Sequence, residues 1–259
     1  MKIIIGQKIV YDEQDITITA KRTLDLGQAM PKLNPFDLNA IEAGVQIAAV
    51  HEGSTVTALC VGEKKLLENS KVRKDVLSRG VDHLTLVMDD ALSHALPQVS
   101  ARVLAAASRK IGFDLIICGD GSGDLYAQQV GLLLGEELDI PAINAISKIL
   151  SVSPDHITVE RTLEDKVQVL SIPLPAVIAV TADINVPKIP NMKAILGAAK
   201  KPVVAYSFAD MGFEPSSDIN TEMIEMVAPL QKERALTLIE GDDEEKIAAF
   251  AQHLKKAIQ

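Results

Sequence analysis

Several residue types that carry common chemistries are scarce in this chain of 259 residues. It has no tryptophan, its aromatic residues make up 3% of the chain, and it has two cysteines. Together with a formal net charge of -9, the scarcity of aromatics argues against a general nucleic-acid-binding surface. Cys60 and Cys118 lie in apolar, strand-like runs, so we expect buried free thiols and neither a disulfide framework nor a metal site.

Long apolar runs and catalytic groupings are also missing. No run approaches the roughly 20 residues that span a bilayer, and the apolar start at residues 1–6 is too short for a signal peptide. We therefore predict a cytoplasmic protein without stable membrane insertion. The five histidines are scattered. No Ser/His/Asp or Cys/His grouping is favoured by the spacing, so hydrolytic or nucleophilic chemistry has little support and we predict no catalytic residue.

A glycine-rich stretch follows an apolar run at 114–118 and precedes a helical pattern at 128–137. Gly119, Gly121 and Gly123 cluster where the predicted strand ends. Glycines let the backbone approach a ligand closely, and the N–H groups at a helix start attract an anion. The stretch fits neither common phosphate-loop pattern, so a tight connection between a strand and a helix is an alternative. Its position at a strand end favours a phosphate site, because open α/β sheets bind ligands there.

Apolar strand patterns and helical patterns alternate through the first half of the chain. Strands are predicted at 2–6, 15–20, 54–62, 82–88 and 114–118, and helices at 35–51, 64–79 and 98–110. This alternation predicts an α/β fold with a doubly wound, mostly parallel sheet. Asn34 before Pro35 is a strong helix start with Asn34 as the N-cap. The free N–H groups of that helix start are a second candidate for binding an anion.

The pattern changes after residue 141. Alternating segments at 145–150, 156–161 and 166–172 predict an antiparallel insertion, and the apolar run at 174–180 predicts a return to the main sheet. In the proline-containing segment 183–202, Met192, Ile195 and Leu196 share one face of a short helix. That face either packs on its own domain or is presented to a partner. We predict an extended arm at 206–227 and an amphipathic helix at 242–258.

These motifs together resemble the β subunit of electron-transfer flavoproteins, and in particular the FixA-type members. The resemblance covers nearly the whole chain and is carried by four stretches. They are Asn34-Pro35-Phe36-Asp37, the loop 119–131, Leu174-Pro175-Ala176-Val177, and Pro190-Asn191-Met192-Lys193-Ala194 followed by Lys200-Lys201-Pro202. The chain departs from the family where Leu125 and Tyr126 replace acidic residues, and where residues 195–199 resemble an insertion before Lys200.

The resemblance implies a Rossmann-like fold of the adenine-nucleotide α-hydrolase-like class. It also implies a heterodimer with an α subunit that holds the electron-transferring FAD, while the β subunit holds AMP or a second FAD. An acyl-CoA or carnitine-type dehydrogenase is the expected electron donor. The division implied is a nucleotide-binding domain at 1–205, which includes the recognition-loop region 183–202, and a partner-contacting arm and helix at 206–259.

The resemblance also implies functional residues. The partner-binding residues would be Met192, Ile195 and Leu196. The cofactor-binding residues would be Gly6, Asn34, Pro35, Phe36, Asp37, Val61, Gly119, Gly121, Ser122, Gly123, Asp124, Gln128, Gln129, Val130 and Gly131.

Two other functions remain open at this point. A stand-alone ATP-binding stress or regulatory protein of the same fold class would form a homodimer that binds ATP without flavin, but it gives the segment 187–202 and the C-terminal helix no role. An ATP-splitting ligase or pyrophosphatase needs a phosphate loop directly after the first strand. The sequence Gly6-Gln7-Lys8-Ile9-Val10 lacks the Ser-Gly-Gly-x-Asp pattern of such enzymes.

Overall fold

The computed structural model describes residues 1–93, 95–214, 223–230 and 236–258, and a nine-stranded sheet is its central element. Strand bounds are β1 Lys2–Gln7, β2 Ile9–Tyr11, β3 Thr17–Ile18, β4 Leu24–Asp25, β5 Pro31–Leu33, β6 Thr55–Gly62, β7 His83–Met88, β8 Leu115–Gly119, β9 Ala142–Val152, β10 His156–Thr162, β11 Val167–Pro173, β12 Ala176–Val180 and β13 Val203–Tyr206. The helices are α1 Pro35–Val50, α2 Lys64–Leu67, α3 Ser70–Ser78, α4 Pro97–Ile111, α5 Val130–Leu138, α6 Met192–Ala198 and α7 Glu244–Ile258.

The sheet order is β11-β10-β9-β12-β8-β1-β6-β7-β13, and only the pairs among β9, β10 and β11 are antiparallel. The predicted parallel sheet with an antiparallel insertion is therefore confirmed, as is the return of β12 to the parallel part beside β8. Small sheets formed by β2 with β5 and by β3 with β4 follow β1.

Helices cover both faces of the sheet, because successive residues of the central strands are apolar and both faces must be buried. Ile3 and Ile5 pack on the face covered by α1, α3 and α6, whereas Ile4 packs on the face covered by α4 and α5. A strand buried on both faces is a near-continuous apolar run, which is the pattern that predicted a parallel sheet. The carboxyl ends of β1, β6 and β8 consequently lie at one edge, between the two helix layers.

Two predicted elements in the first half of the chain were wrong in extent. The predicted helix at 64–79 is two helices, because Asn69 interrupts it and accepts hydrogen bonds from the amides of Lys71 and Val72 at the start of α3. A side chain that offers the backbone an alternative partner favours a helix start over a helix interior. The predicted strand at 15–20 shrinks to β3, since it pairs only with the two-residue β4.

The largest difference from the sequence analysis concerns residues 203–213. β13 extends the sheet parallel to β7 and had not been predicted. Phe208 is buried in the core, and its ring stacks on that of Phe213 at 5.3 Å between centroids. The predicted boundary at 205/206 therefore cuts a strand, and the part of the chain that had been predicted to begin the arm is anchored to the sheet.

The C-terminal helix was predicted correctly as α7, and none of its residues is buried. The rest of the predicted arm lies partly outside the described residues, namely at 215–222 and 231–235. In the part of the chain that the structure describes, no helix combines the length and the apolar character needed to cross a bilayer.

Candidate functional site

A cavity opens at the carboxyl ends of β1, β6 and β8, between the starts of α1, α4 and α5. It encloses roughly 830 Å³, the opening to solvent included. Apolar side chains such as Leu104 and Ala179 line its depth. The glycine-rich loop that follows β8 forms its rim.

The structure brings most of the predicted cofactor-binding residues together around this cavity. Those that line it are Gly6, Asn34, Asp37, Val61, Gly119, Gly121, Ser122, Gln128, Gln129, Val130 and Gly131. Pro35, Phe36, Gly123 and Asp124 do not line it. The cavity is also lined by residues that the sequence analysis had not selected: Gln7, Lys8, Ala95, Pro97, Ser100, Leu104, Cys118, Asp120, Leu125, Ala127, Leu132, Asn144 and Ala179.

Asn34 does not use its side chain to cap α1, which differs from the prediction. It precedes α1, and Pro35 is the first helical residue as predicted, but the Asn34 side chain makes no capping hydrogen bond. Its Nδ2 donates to the carbonyl of Gly121 at 2.8 Å, and its Oδ1 accepts from the amide of Gly123 at 3.1 Å. Asn34 therefore fastens the glycine-rich loop to the start of α1, which explains why this asparagine is itself buried.

Asp37 joins three strand and helix ends. One carboxylate oxygen accepts from the amide of Lys8 at 2.8 Å and the other from the amide of Gly119 at 3.2 Å. Burial raises the pKa of Asp37 to about 7, although these two backbone donors oppose the shift. Gly119 must be glycine here, because a Cβ at this position would lie 2.5 Å from an Asp37 oxygen and 2.7 Å from the carbonyl carbon of Phe36.

The physical reason predicted for a glycine at position 119 was therefore wrong. The absence of a side chain at this position serves the close approach of α1 to the end of β8. The prediction had attributed it to the close approach of a ligand.

The inner part of the loop is held by Asp120. Its two oxygens accept from Nε2 of Gln128 at 2.7 Å and from the amide of Ala145 at 3.2 Å. Gln128 has a left-handed backbone with φ of 54°, so α5 begins at Val130, two residues later than predicted. The loop thus approaches α5 in a conformation fixed by its own side chains.

The outer part of the loop is held by an ion pair and an aromatic contact. Lys8 pairs with Asp124 at 2.5 Å, and Ser122 donates to the same carboxylate at 2.6 Å. Partial burial opposes ionisation of Asp124, but Lys8 together with the donors of Ser122 and Leu125 outweighs it, and the pKa of Asp124 lies below its ordinary value. Phe36 contacts Tyr126 with 5.4 Å between ring centroids. Phe36 and Asp124 therefore hold the loop in place from outside the cavity.

The cavity is lined by groups that can bind a ligand. Cys118 lines it, but burial raises the pKa of this thiol far above neutrality and keeps it protonated. Both cysteines are free and buried, as predicted. Within the described residues, no group of three or more His, Cys, Asp and Glu side chains could hold a metal ion. What the site can do chemically is to orient a ligand and surround it with backbone N–H groups and polar side chains.

The predicted partner-binding residues lie on α6, away from the cavity. Met192 and Leu196 are exposed, whereas Ile195 is half-buried. Two apolar residues before this helix, Val186 and Ile189, are even more exposed, at 88% and 93%, and had not been selected. The exposed apolar side chains of Val186, Ile189, Met192 and Leu196 are called the 186–196 patch below.

The segment that carries this patch is tied to α1. Nδ2 of Asn39 donates to the carbonyl of Asn185 at 2.8 Å, and Nδ2 of Asn185 donates to the carbonyl of Asn39 at 3.0 Å. Buried Glu42 accepts from the amide of Lys188 and pairs with its Nζ at 3.2 Å. The exposed side chains therefore project from a fixed base.

One comparison with known proteins identifies the family of this chain. The family model described as the electron transfer flavoprotein domain matches residues 18–211. The match includes the start of α1, the glycine-rich loop, the antiparallel insertion and the 186–196 patch. It begins after β1, whose carboxyl end supplies Gly6, Gln7 and Lys8 to the cavity or its rim.

Proposed function

Because the chain belongs to the electron transfer flavoprotein family, we propose that it is the β subunit of a FixA-type heterodimer and binds AMP or a second FAD in its cavity. The observation that carries the proposal is the cavity itself. It lies at the carboxyl ends of the parallel strands, where α/β sheets bind nucleotides, and its lining includes the start of α5 at Gln129, Val130 and Gly131. The proposed protein is an electron carrier subunit without catalytic side chains of its own.

The residues of the cavity fit an adenine nucleotide. The start of α5 has no acidic residue in its first turn and no side-chain cap, so its N–H groups remain available to a phosphate. Apolar Leu104 and Ala179 suit a planar ring, and the polar rim suits a ribose. The bound flavin of such a heterodimer supplies the one- and two-electron chemistry, and the contribution of this chain is binding and orientation.

The proposal assigns the exposed apolar surfaces to partners. The 186–196 patch would dock an acyl-CoA or carnitine-type dehydrogenase, because exposed Met and Leu side chains adapt to another protein's surface. Helix α7 exposes Ile247, Phe250 and Leu254, and we assign this face to the α subunit that holds the electron-transferring FAD. An amphipathic helix without a buried residue gains most of its stability from such a partner.

The nucleotide content of the purified complex tests the proposal. The chain is co-expressed with an electron-transfer flavoprotein α subunit, the complex is denatured, and released nucleotides are identified by absorbance and mass. We expect one FAD with one AMP, or two FAD, per heterodimer. A homodimer that contains ATP and no flavin would contradict the proposal and favour the stand-alone ATP-binding protein.

The docking surface needs a separate test. Ile189→Asp and Leu196→Asp each place a charge in the 186–196 patch, and Val50→Asp is the control because Val50 is exposed elsewhere, at the end of α1. We expect the two patch variants to slow electron transfer from the dehydrogenase at unchanged flavin content, and the control to transfer electrons at the wild-type rate. Equal rates in all four proteins would remove the patch from the docking surface.

A further inference from the structure

We infer that Asn144 is a further nucleotide-contacting residue of the cavity, and that Arg161 sets the direction of its side-chain amide. The inference deepens the proposed function and rests on it, because the ligand concerned is the nucleotide assigned to this cavity. Asn144 lies on β9 and lines the cavity, whereas Arg161 lies on the adjacent β10.

The direction of the Asn144 amide follows from the hydrogen bond that Arg161 donates to it. Nη2 of Arg161 lies 2.7 Å from Oδ1 of Asn144. A guanidinium has only donors, so the oxygen of the amide must face Arg161 and the NH2 group must face away from it. Among the described residues, no hydrogen bond uses Nδ2 of Asn144. An oriented donor therefore stands at the cavity wall with its hydrogen-bonding capacity unused.

The backbone next to Asn144 is bent toward the glycine-rich loop. Ala145 has a left-handed φ of 57°, and the pairing of β9 with β12 shifts register between Ile143 and Ile146. An irregularity of this kind re-aims neighbouring side chains. The amide of Ala145 donates to Asp120, which also holds Gln128. Asn144 is therefore fixed relative to the loop residues that line the same cavity.

The charge behind Asn144 makes its NH2 group a stronger donor. Arg161 is half-buried, its Nε is buried without a hydrogen-bond partner, and no carboxylate of the described residues forms an ion pair with it. Withdrawal of electron density through Oδ1 strengthens the opposite N–H donors. The arrangement favours an acceptor atom of the ligand, such as a phosphate oxygen or a ring nitrogen, over another donor.

The variant Asn144→Asp tests the inference with little change in shape. The carboxylate still accepts from Arg161, so the fold is retained, but the donor toward the cavity becomes an acceptor. Asn69→Asp is the matched control, because it adds the same charge outside the cavity, and an aspartate also caps α3. AMP and FAD are titrated calorimetrically into the full-length wild type and each variant. We expect Asn144→Asp to weaken binding about tenfold or more and Asn69→Asp to leave it unchanged.

Arg161→Met separates positioning from contact. It keeps the Asn144 amide but lets it rotate, so we expect a smaller loss of nucleotide affinity than for Asn144→Asp. The urea unfolding midpoint of Asn144→Asp should equal that of the wild type. Binding to Asn144→Asp with wild-type affinity would overturn the inference and leave the proposed function standing. A wild type that binds neither AMP nor FAD would overturn both. Equal losses in Asn144→Asp and Asn69→Asp would also overturn the inference, since they would reflect charge alone.

Discussion

Asn34→Ala is the substitution that most directly tests how the glycine-rich loop is held. The Asn34 side chain makes hydrogen bonds to the carbonyl of Gly121 and the amide of Gly123, and it makes no capping hydrogen bond to the backbone of the helix that it precedes. The alanine variant would remove both bonds while leaving α1 with its first residue, Pro35. We therefore expect the loop to open locally and the helix to remain.

The expected size of the effect follows from the two bonds. A neutral hydrogen bond contributes about 0.5–1.5 kcal/mol net, and two would give roughly 1–3 kcal/mol. Gly123 is exposed, so water replaces part of what is lost, and we expect a value near 1–2 kcal/mol. That free energy corresponds to roughly a 5- to 30-fold increase in the population of the open loop.

Amide hydrogen exchange measures this opening at a single position. The amide of Gly123 donates to Asn34 and to no other described residue, so its exchange rate should rise by that factor in Asn34→Ala. The control is Asn69→Ala, which removes two hydrogen bonds from backbone amides at the start of α3 and costs about 1 kcal/mol of global stability. The control lowers the global stability but does not touch the loop, so it should leave the exchange rate of the Gly123 amide unchanged.

The reasoning would be refuted by equal exchange of the Gly123 amide in the wild type and in Asn34→Ala. It would also be refuted by a loss of α1 without an opening of the loop, because Asn34 would then be acting as a cap. An equal acceleration in both alanine variants would show that exchange at Gly123 follows global stability.

Three further predictions concern charge and packing elsewhere. Because burial raises the pKa of Asp37 from 3.8 to about 7, the folded chain holds a proton that the unfolded chain has released, and the free energy of unfolding should fall as the pH rises between these values. Asp37→Asn should remove this part of the slope in urea denaturation at about pH 5 and about pH 7.5, and equal slopes would contradict the assignment. Phe208→Ala should cost about 3–5 kcal/mol of unfolding free energy, since the ring is buried in the core. Phe250→Ala on the exposed face of α7 should cost under about 0.5 kcal/mol. Similar losses in the two variants would count against an anchored 203–213 segment. Glu42→Ala should speed tryptic cleavage after Lys188 several-fold, because it removes both contacts that hold Lys188 to α1. An unchanged cleavage rate would mean that Asn39 and Asn185 hold the segment without Glu42.

The sequence by itself determined the fold class and most of the regular elements. Continuous apolar runs such as Ile3-Ile4-Ile5 predict strands covered on both faces, and their alternation with helical patterns predicts parallel crossovers. The antiparallel insertion followed from the period-2 pattern at 145–172. The elements that the sequence analysis missed or misjudged are short. β13 is four residues long and its side chains are half-exposed or exposed, so its pattern has little contrast until β7 is beside it.

The position of the candidate site could also be predicted from the sequence, but the structural roles of its residues could not. The glycines after β8 and the Asn34-Pro35 helix start marked the right edge of the sheet. Whether Asn34 caps a helix or holds a loop depends on what lies across from it, and Gly121 and Gly123 are more than 80 residues further along the chain. Local pattern describes only near neighbours, so it predicted the N-cap and could not predict the contact between Asn34 and the loop.

Tertiary structure alone decided which polar residues share one environment. Asp37 accepts hydrogen bonds from the amides of Lys8 and Gly119, and Asp120 accepts one from the amide of Ala145. These contacts form because parallel strand ends from separate parts of the chain meet at one edge of the sheet. Asn144 carried no recognisable signal in a strand of alternating residues until Arg161 on the neighbouring strand fixed its amide. The sequence determines a strand's faces through periodicity, whereas side-chain roles at the strand ends depend on register between strands, which only the assembled sheet defines.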